Sequence, residues 1–233
     1  MRWKNMIHPD IGLVGLLGLL MLSLPFVFTN LDLTLAGLFY QQGWPIGDQQ
    51  PWLALYRYGA LPGLVLAAGG LLILVGVWIW PILRMWRRAA LIVVLTLALG
   101  PGLLVNVLGK QYWGRPRPRD VIQFNGQETF RRFIQPGVPG GGYSFPCGHA
   151  SVGFLFTALY FTAREKKWKW IGLIGGLTYG ALMGIGRMAQ GAHFASDVLW
   201  SGGLTYLSAA WLHHVFLPAE DAVQRNLVNN TPP

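Results

Sequence analysis

The stretch AALIVVLTLALGPGLLVNVLG, residues 89–109, is twenty-one residues long and contains no charged residue. About 20 apolar residues in a helix are enough to cross the hydrocarbon core of a bilayer. Two more uncharged stretches of this kind lie upstream, at residues 11–29 and 59–83. Only 12% of the chain is charged, about half the fraction of an ordinary soluble domain. The sequence therefore predicts an all-α, polytopic membrane protein.

Three further segments complete a prediction of six transmembrane helices in one domain, residues 1–233. The predicted spans are residues 11–29, 59–83, 89–109, 148–163, 170–186 and 196–217, with an outer loop at residues 110–147. No small-residue cleavage site precedes the first stretch, so we expect it to be a retained span and not a signal peptide. In the fifth span Gly172, Gly176, Gly180 and Gly184 recur every four residues, which predicts a face where helices pack closely.

Lysine and arginine residues cluster in three short segments beside the predicted spans. These clusters are Arg2 and Lys4; Arg84, Arg87 and Arg88; and Arg164, Lys166, Lys167 and Lys169. By the positive-inside rule all three lie in the cytoplasm, so both termini of a six-span protein are cytoplasmic. The loop at residues 110–147 then faces the periplasmic, or extracytoplasmic, side of the inner membrane. A nucleic-acid partner is not expected, because no soluble domain remains to carry a basic face.

The outer loop is unusually basic for its side of the membrane. Its cations are Lys110, Arg115, Arg117, Arg119, Arg131 and Arg132. Positive charge on the side that the topology rule disfavours needs a local reason. An anionic ligand is the simplest one, and the surface of the membrane suggests a phosphorylated lipid.

Three clusters of potentially reactive side chains fall on this outer side, at the ends of different spans. They are Lys110 with Arg117, then His149, then Arg187 with His193 and Asp197. A phosphate dianion needs several fixed cations, and the planar fork of arginine matches its oxygens. Lys110, Arg117 and Arg187 meet that need.

The remaining three side chains match the chemistry of phosphate-ester cleavage. His193 and Asp197 are four residues apart, so on a helix they share a face. A carboxylate that accepts the proton of one ring nitrogen leaves the other nitrogen free to attack phosphorus. His149 is then available to protonate the leaving oxygen and later to activate water. Catalysis by a metal is not expected, since few carboxylates accompany these residues.

At these residues the sequence resembles the type 2 phosphatidic acid phosphatase superfamily. Lys110, Arg117 and Pro118 match its first motif, Lys, six residues, Arg, Pro. Pro146, Cys147, Gly148 and His149 match Pro-Ser-Gly-His except at Cys147. Arg187, His193 and Asp197 match Ser-Arg, five residues, His, three residues, Asp, with Gly186 in place of the serine.

This resemblance implies six spans and a phosphatase that uses neither a metal nor another cofactor. It makes His193 the nucleophile, Asp197 its orienting partner and His149 the general acid. It also implies phosphate binding by Lys110, Arg117 and Arg187, with Cys147 and the backbone near Gly148 at the phosphate.

Two departures from the motifs and one ambiguity concern phosphate binding. A thiol at Cys147 is a weaker hydrogen-bond donor than the family's serine, and Gly186 removes another hydroxyl. A catalytic Cys147 is disfavoured, because a Cys, five residues, Arg loop would need an arginine where Gly153 stands. Arg115 with Pro116 forms a second Arg-Pro pair, but its spacing from Lys110 favours Arg117 as the phosphate ligand.

The predicted function is hydrolysis of a phosphate monoester or diphosphate of a membrane lipid through a phosphohistidine. Lipid A phosphate, undecaprenyl diphosphate, phosphatidylglycerol phosphate and phosphatidic acid all suit a basic outer loop. A lipid phosphotransferase that uses the same intermediate remains an alternative, and so does an anionic-lipid binder or transporter without catalysis. The sequence does not predict an oligomeric state.

Overall fold

The computed structural model describes residues 10–216, which are mostly helical, with a long non-helical connection at residues 125–147. The helices are α1 (Asp10–Phe28), α2 (Leu31–Gly37), α3 (Trp52–Tyr58), α4 (Leu61–Gly76), α5 (Arg87–Leu97), α6 (Lys110–Tyr112), α7 (Gly148–Phe154), α8 (Ala158–Thr162), α9 (Lys166–Ala189) and α10 (Ala195–Phe216). A π-helical stretch, Ala98–Gly109, joins α5 to α6. The predicted all-α class is confirmed for the described residues, in which no strand occurs.

Four helical segments within residues 10–216 are long and apolar enough to cross a membrane. They are Ile11–Phe28, Trp52–Gly76, Pro81–Tyr112 and Lys166–Ala189. Large apolar side chains on these segments, such as Leu72 and Ile174, are exposed at the surface of the protein. Extended apolar surface of this kind marks contact with a membrane or a partner. These segments correspond to the first, second, third and fifth predicted spans.

The helix boundaries differ from the predicted spans most clearly at the second one. It was expected at residues 59–83, whereas the apolar helical segment begins at Trp52 and ends at Gly76. α3 contains aromatic residues and Arg57, a composition typical of a connection at the membrane interface. The predicted span therefore began only after α3. At the other end, the Trp80 amide bonds to the Gly76 carbonyl at 2.8 Å and closes a tight turn. Pro81 follows and cannot supply the amide hydrogen that a continuing helix needs.

The fourth and sixth predicted segments form the centre of the helical packing. α7, a 3₁₀ turn and α8 contain 7, 3 and 5 residues, which span about 22 Å at the rise of an α-helix. α10 packs against α1, α5, the π-helical stretch, α7, α8 and α9. Its buried Ser201 and Thr205 hydroxyls bond to backbone carbonyls one turn earlier. The polar composition of α10 is therefore accommodated inside protein. The predicted end of this segment, at residue 217, lies outside the described residues, as do Arg2 and Lys4.

The repeated glycines of α9 form the predicted packing seam. A Cβ atom added to any of them would come within 2.5 Å of a neighbouring helix or turn. The obstructing residues, taken along the seam, are Leu159, Thr157, Phe154 and Val198. The prediction of close packing is confirmed, and the partners are α7, α8 with their connecting turn, and α10.

The predicted outer loop folds over the ends of these helices through its own hydrogen bonds. The Trp113 indole donates to the Phe133 carbonyl at 2.7 Å, and the Gly137 amide donates to the Trp113 carbonyl at 2.7 Å. Gly114 has φ 64°, and a Cβ there would lie 2.0 Å from the Val138 carbonyl oxygen. Glycine is required at this crossing because both its backbone angle and its space exclude a side chain. Hydrogen bonds and a close backbone crossing thus hold the loop in a defined conformation.

Substitution of Gly180 by alanine tests the seam. The new methyl group would lie 2.4 Å from ring atoms of Phe154, so Gly180→Ala should destabilise the protein by about 1–3 kcal/mol through overpacking. Gly175→Ala is the matched control, because its Cβ meets nothing within 4 Å and alanine favours a helix by up to about 1 kcal/mol. Thermal unfolding in detergent measures both. Equal stability of the two variants would contradict the seam.

Candidate active site

His193 lies in the connection between α9 and α10 and its side chain is buried, with 2% exposed. Its Nδ1 is 2.6 Å from the Ser144 carbonyl oxygen. A backbone carbonyl only accepts, so Nδ1 carries the proton in this contact. Nε2 then keeps its lone pair. The structure therefore holds His193 in the tautomer that a nucleophilic imidazole needs.

Asp197 does not accept this proton directly, in contrast to the predicted pairing. Its Oδ2 is 3.7 Å from His193 Nδ1, an ion-pair separation too long for a hydrogen bond. The carboxylate instead accepts the Ser144 hydroxyl at 2.6 Å and the Phe194 amide at 2.7 Å. The reason is local: His193 precedes α10, whereas Asp197 is in its first turn. Ser144 contacts both residues, because its hydroxyl donates to Asp197 and its carbonyl accepts from His193 Nδ1. Asp197 is thus connected to the imidazole ring through Ser144.

Arg115, the arginine that the spacing argument set aside, is fully buried beneath this pair. Its guanidinium donates to Asp197 Oδ1 at 2.5 Å, Asp32 Oδ2 at 2.7 Å and the Ser196 hydroxyl at 2.8 Å. Its Nε also donates to the Arg131 carbonyl at 2.8 Å. These groups receive the hydrogen bonds of Arg115, so its contacts are inside the protein. The choice of Arg117 over Arg115 as a phosphate ligand remains a prediction, and this burial favours it.

The predicted phosphate-binding cations lie around the start of α7. A Cβ atom at Gly148 would be 2.8 Å from Lys110 Nζ and 2.5 Å from Asn106 Oδ1. Glycine at this position is thus what lets the ammonium group reach the start of α7. Lys110 interacts electrostatically with Arg117 and Arg187. The three cations therefore repel one another, and an anion between them would relieve that repulsion.

Arg117 and Arg187 each bury an Nε atom that has no hydrogen-bond partner among the described residues. A buried donor without a hydrogen-bond partner costs free energy of folding. In a native structure such a donor is usually explained by a functional role or by a bound group. The rest of the Arg187 guanidinium is held, since Nη1 bonds to Gln190 Oε1 and the group stacks over Tyr56 at 4.5 Å. Two arginines thus offer free donors at the predicted phosphate position.

His149 is the second residue of α7 and reaches the same group of side chains. Its ring centroid is 5.3 Å from that of Tyr56, and it interacts electrostatically with Arg187, His193 and Lys110. The two histidines and the cations therefore converge, although they come from three separate parts of the sequence. Their catalytic and binding roles remain predictions.

Cys147 is fully buried immediately before α7. Its amide donates to the Asp197 carbonyl at 3.2 Å, and its thiol lies beside His193. Burial raises the pKa of the thiol. The neighbouring His193 and Arg187 lower it by more than burial raises it, so the net pKa is below its usual value. For His193, burial lowers the pKa, whereas the charge of Cys147 and the Asp197 carboxylate raise it, and the net pKa is above its usual value.

Three residues of the site carried no signal in the sequence. Asp32 lies in α2 and belongs to no motif, Ser144 supplies both a carbonyl and a hydroxyl from the outer loop, and Tyr56 stacks on Arg187. Only the second Arg-Pro pair pointed to Arg115. Short spacings along the chain do not register contacts between residues that are far apart in sequence.

The Ser144 hydroxyl offers a direct test of how His193 is held. Ser144→Ala removes its 2.6 Å bond to Asp197 and leaves the carbonyl that receives Nδ1–H. A hydrogen bond to a charged group contributes about 1.5–3 kcal/mol, so the kcat for phosphate release should fall at least about tenfold. Ser208→Ala is the control, because that buried hydroxyl bonds to the Leu204 carbonyl one turn earlier in the same helix. Steady-state kinetics with equal kcat for both variants would refute the role of Ser144.

The family model described as PAP2 superfamily matches residues 89–220, a range that includes every predicted site residue. A lipid A 4′-phosphatase of Francisella tularensis subsp. novicida (strain U112) is 35% identical over 197 residues, which cover 82% of this chain and 88% of that protein.

Two relatives from Rhizobium match a shorter part of the chain. The lipid A 4′-phosphatase of Rhizobium etli is 34% identical over 48% of this chain and 45% of its own length. That of Rhizobium leguminosarum is 35% identical over 49% of this chain and 50% of its own length. No solved structure matches the chain. The resemblance seen in the motifs is confirmed: this chain belongs to the PAP2 superfamily.

Proposed function

We propose that this protein removes the 4′-phosphate of lipid A at the periplasmic face of the inner membrane, through a phosphohistidine at His193. Its family and its relatives confirm the predicted class of enzyme, a membrane lipid phosphatase. Four lipids suited the sequence equally. Three relatives named lipid A 4′-phosphatase favour lipid A among them.

The observation that carries the proposal is the fixed tautomer of His193 in a site that also contains unpaired arginine donors. Nδ1–H is fixed on the Ser144 carbonyl, and Arg117 and Arg187 each hold a buried Nε without a partner in the described part of the chain. A phosphate bound by these donors and Lys110 has its charge balanced before reaction. Donors that are already in place for the transition state require no reorganisation as charge moves.

The proposed reaction has two steps that use the same two histidines. In the first, His193 Nε2 bonds to phosphorus and the bond from phosphorus to the sugar oxygen breaks. His149 gives that oxygen its proton, which it holds only when the bound phosphate dianion offsets the neighbouring cations Arg187 and Lys110. In the second, neutral His149 takes a proton from water while the water oxygen bonds to phosphorus. The bond between phosphorus and His193 then breaks, and inorganic phosphate leaves. Both histidines return to their starting states.

We also propose six spans with both termini in the cytoplasm. Two basic clusters support one orientation, because the Arg164 guanidinium bonds to the Met85 carbonyl at 3.2 Å and so brings the ends of α8 and the Pro81–Trp86 turn together. The site residues lie at the opposite ends of these helical segments. By the positive-inside rule the basic end is cytoplasmic, which puts the site on the periplasmic side.

A release assay with purified full-length protein in detergent tests the function. Lipid A that carries both phosphates should lose one, seen as inorganic phosphate and as a product whose remaining phosphate is mapped by mass spectrometry. Phosphatidic acid, phosphatidylglycerol phosphate and undecaprenyl diphosphate are assayed in parallel. Loss of the phosphate from the other sugar of lipid A, or preference for another lipid, would refute the proposed substrate.

His193→Ala should reduce phosphate release by at least about a thousandfold, as removal of a nucleophile does, while non-covalent binding of inorganic phosphate, the product, survives. His214→Ala is the matched control, because His214 is exposed near the far end of α10. Phosphate binding is measured by equilibrium titration of each variant. Turnover by His193→Ala at the wild-type rate would exclude the phosphohistidine.

A further inference from the structure

A buried chain of charges connects the N-terminal part of the protein to His193. Asp32 in α2 accepts Arg115 Nη2 at 2.7 Å, and Arg115 Nη1 donates to Asp197 Oδ1 at 2.5 Å. All three side chains are buried, with exposed fractions of 2% or less. The Arg115 guanidinium also lies 4.4 Å over the Phe194 ring. Water is thus kept from an ion network that ends beside the proposed nucleophile.

Ser196 binds this network to the start of α10. Its hydroxyl donates to Asp32 Oδ2 at 2.6 Å and accepts Arg115 Nη1 at 2.8 Å. Its amide donates to Asp32 Oδ1 at 2.9 Å. Asp32 therefore holds the first turn of α10 as well as the guanidinium. Asp197 lies in that turn, and His193 comes just before it.

The charges in this network do not cancel. Two carboxylates face one guanidinium, which leaves one negative charge in surroundings where charge is poorly screened. The imidazole of His193 is the titratable group 3.7 Å from Asp197. Phosphorylation on Nε2 with the proton retained on Nδ1 gives the ring a positive charge. An excess negative charge at this distance stabilises that ring relative to the neutral imidazole.

We propose that Asp32 is a positioning residue for His193, acting through Arg115 and Asp197, and that its charge favours formation of the phosphohistidine. This inference rests on the proposed function. Without Asp32, Arg115 would neutralise Asp197 alone. The ring would then face a neutral pair, and the start of α10 would lose the carboxylate that receives Ser196.

The variant Asp32→Asn separates this role from phosphate binding. The amide keeps the shape of the side chain but removes its charge, so kcat should fall about 10- to 100-fold, which corresponds to the loss of about one hydrogen bond to a charged group. KM and the Kd for inorganic phosphate should stay within about twofold, because Asp32 touches neither phosphate ligand nor phosphate. Asp48→Asn is the control, since Asp48 is exposed in the turn Pro45–Asp48 and should leave all three values unchanged.

The pH profile supplies a measurement that a purely structural loss would not change. The pKa of His193 is raised in the folded protein, where Cys147 and Asp197 outweigh burial, and loss of a nearby negative charge lowers it. Because attack requires unprotonated Nε2, the acid limb of kcat/KM should move to lower pH in Asp32→Asn while the plateau falls. The charged or titratable groups facing His193 are Cys147 and His149 around the start of α7, Arg187 on α9 and Asp197 on α10. None of them is altered by the substitution.

Each outcome decides the matter. The inference is overturned if Asp32→Asn keeps the wild-type kcat, if its acid limb stays in place, or if the binding of inorganic phosphate falls as much as kcat. If this variant does not fold, Ser196→Ala takes its place: it removes the hydroxyl and keeps both charges, so kcat should fall about tenfold with no movement of the acid limb. An unchanged kcat in Ser196→Ala would then overturn the inference. Absence of phosphate release by the wild type would instead refute the proposed function.

Discussion

The ion pair between Arg115 and Asp197 is the interaction on which the site depends. It joins the outer loop to the first turn of α10 inside the protein, where neither group is exposed. A buried ion pair is stable only if its remaining donors and acceptors are satisfied. Ser144, the Phe194 amide, Ser196 and Asp32 supply those bonds. One of these partners, Ser144, also receives the proton of His193. The orientation of the His193 ring is thus a consequence of the way this ion pair is completed.

This arrangement accounts for how much of the fold the sequence predicted. Uncharged stretches identified α1 and the helix through residues 89–109, because lipid contact dictates their composition along the whole length. The second span was displaced, since α3 combines aromatic residues with Arg57 and resembles an interfacial segment. α10 was located by its flanking motif and by its length. Its serines and threonines satisfy their hydrogen bonds on their own helix, and its neighbours are other helices, so hydropathy is a poor guide to a helix that faces protein.

Part of the candidate site was also predicted from the sequence and part was missed. The predicted side chains carry charges or ring nitrogens at the spacings of the family motifs, and the fold brings them together. They are Lys110, Arg117, His149, Arg187 and His193. Asp32 and Ser144 were missed because their roles depend on partners 83 and 53 residues away. The direct bond from His193 to Asp197 was expected from a helical spacing. His193 lies before the helix, so the spacing was correct and the conformation assumed for it was wrong.

The surroundings of the two departures from the family motifs differ. A Cβ at Gly186 would lie 3.4 Å from the Trp52 ring, an ordinary van der Waals distance, so nothing in the structure explains the glycine there. The Cys147 amide donates to the Asp197 carbonyl, a backbone contact that does not depend on the side chain. A thiol donates weakly, and its charge when ionised would oppose a phosphate beside it. In the proposed function, phosphate binding then relies on the ammonium group of Lys110 and on the unpaired donors of Arg117 and Arg187.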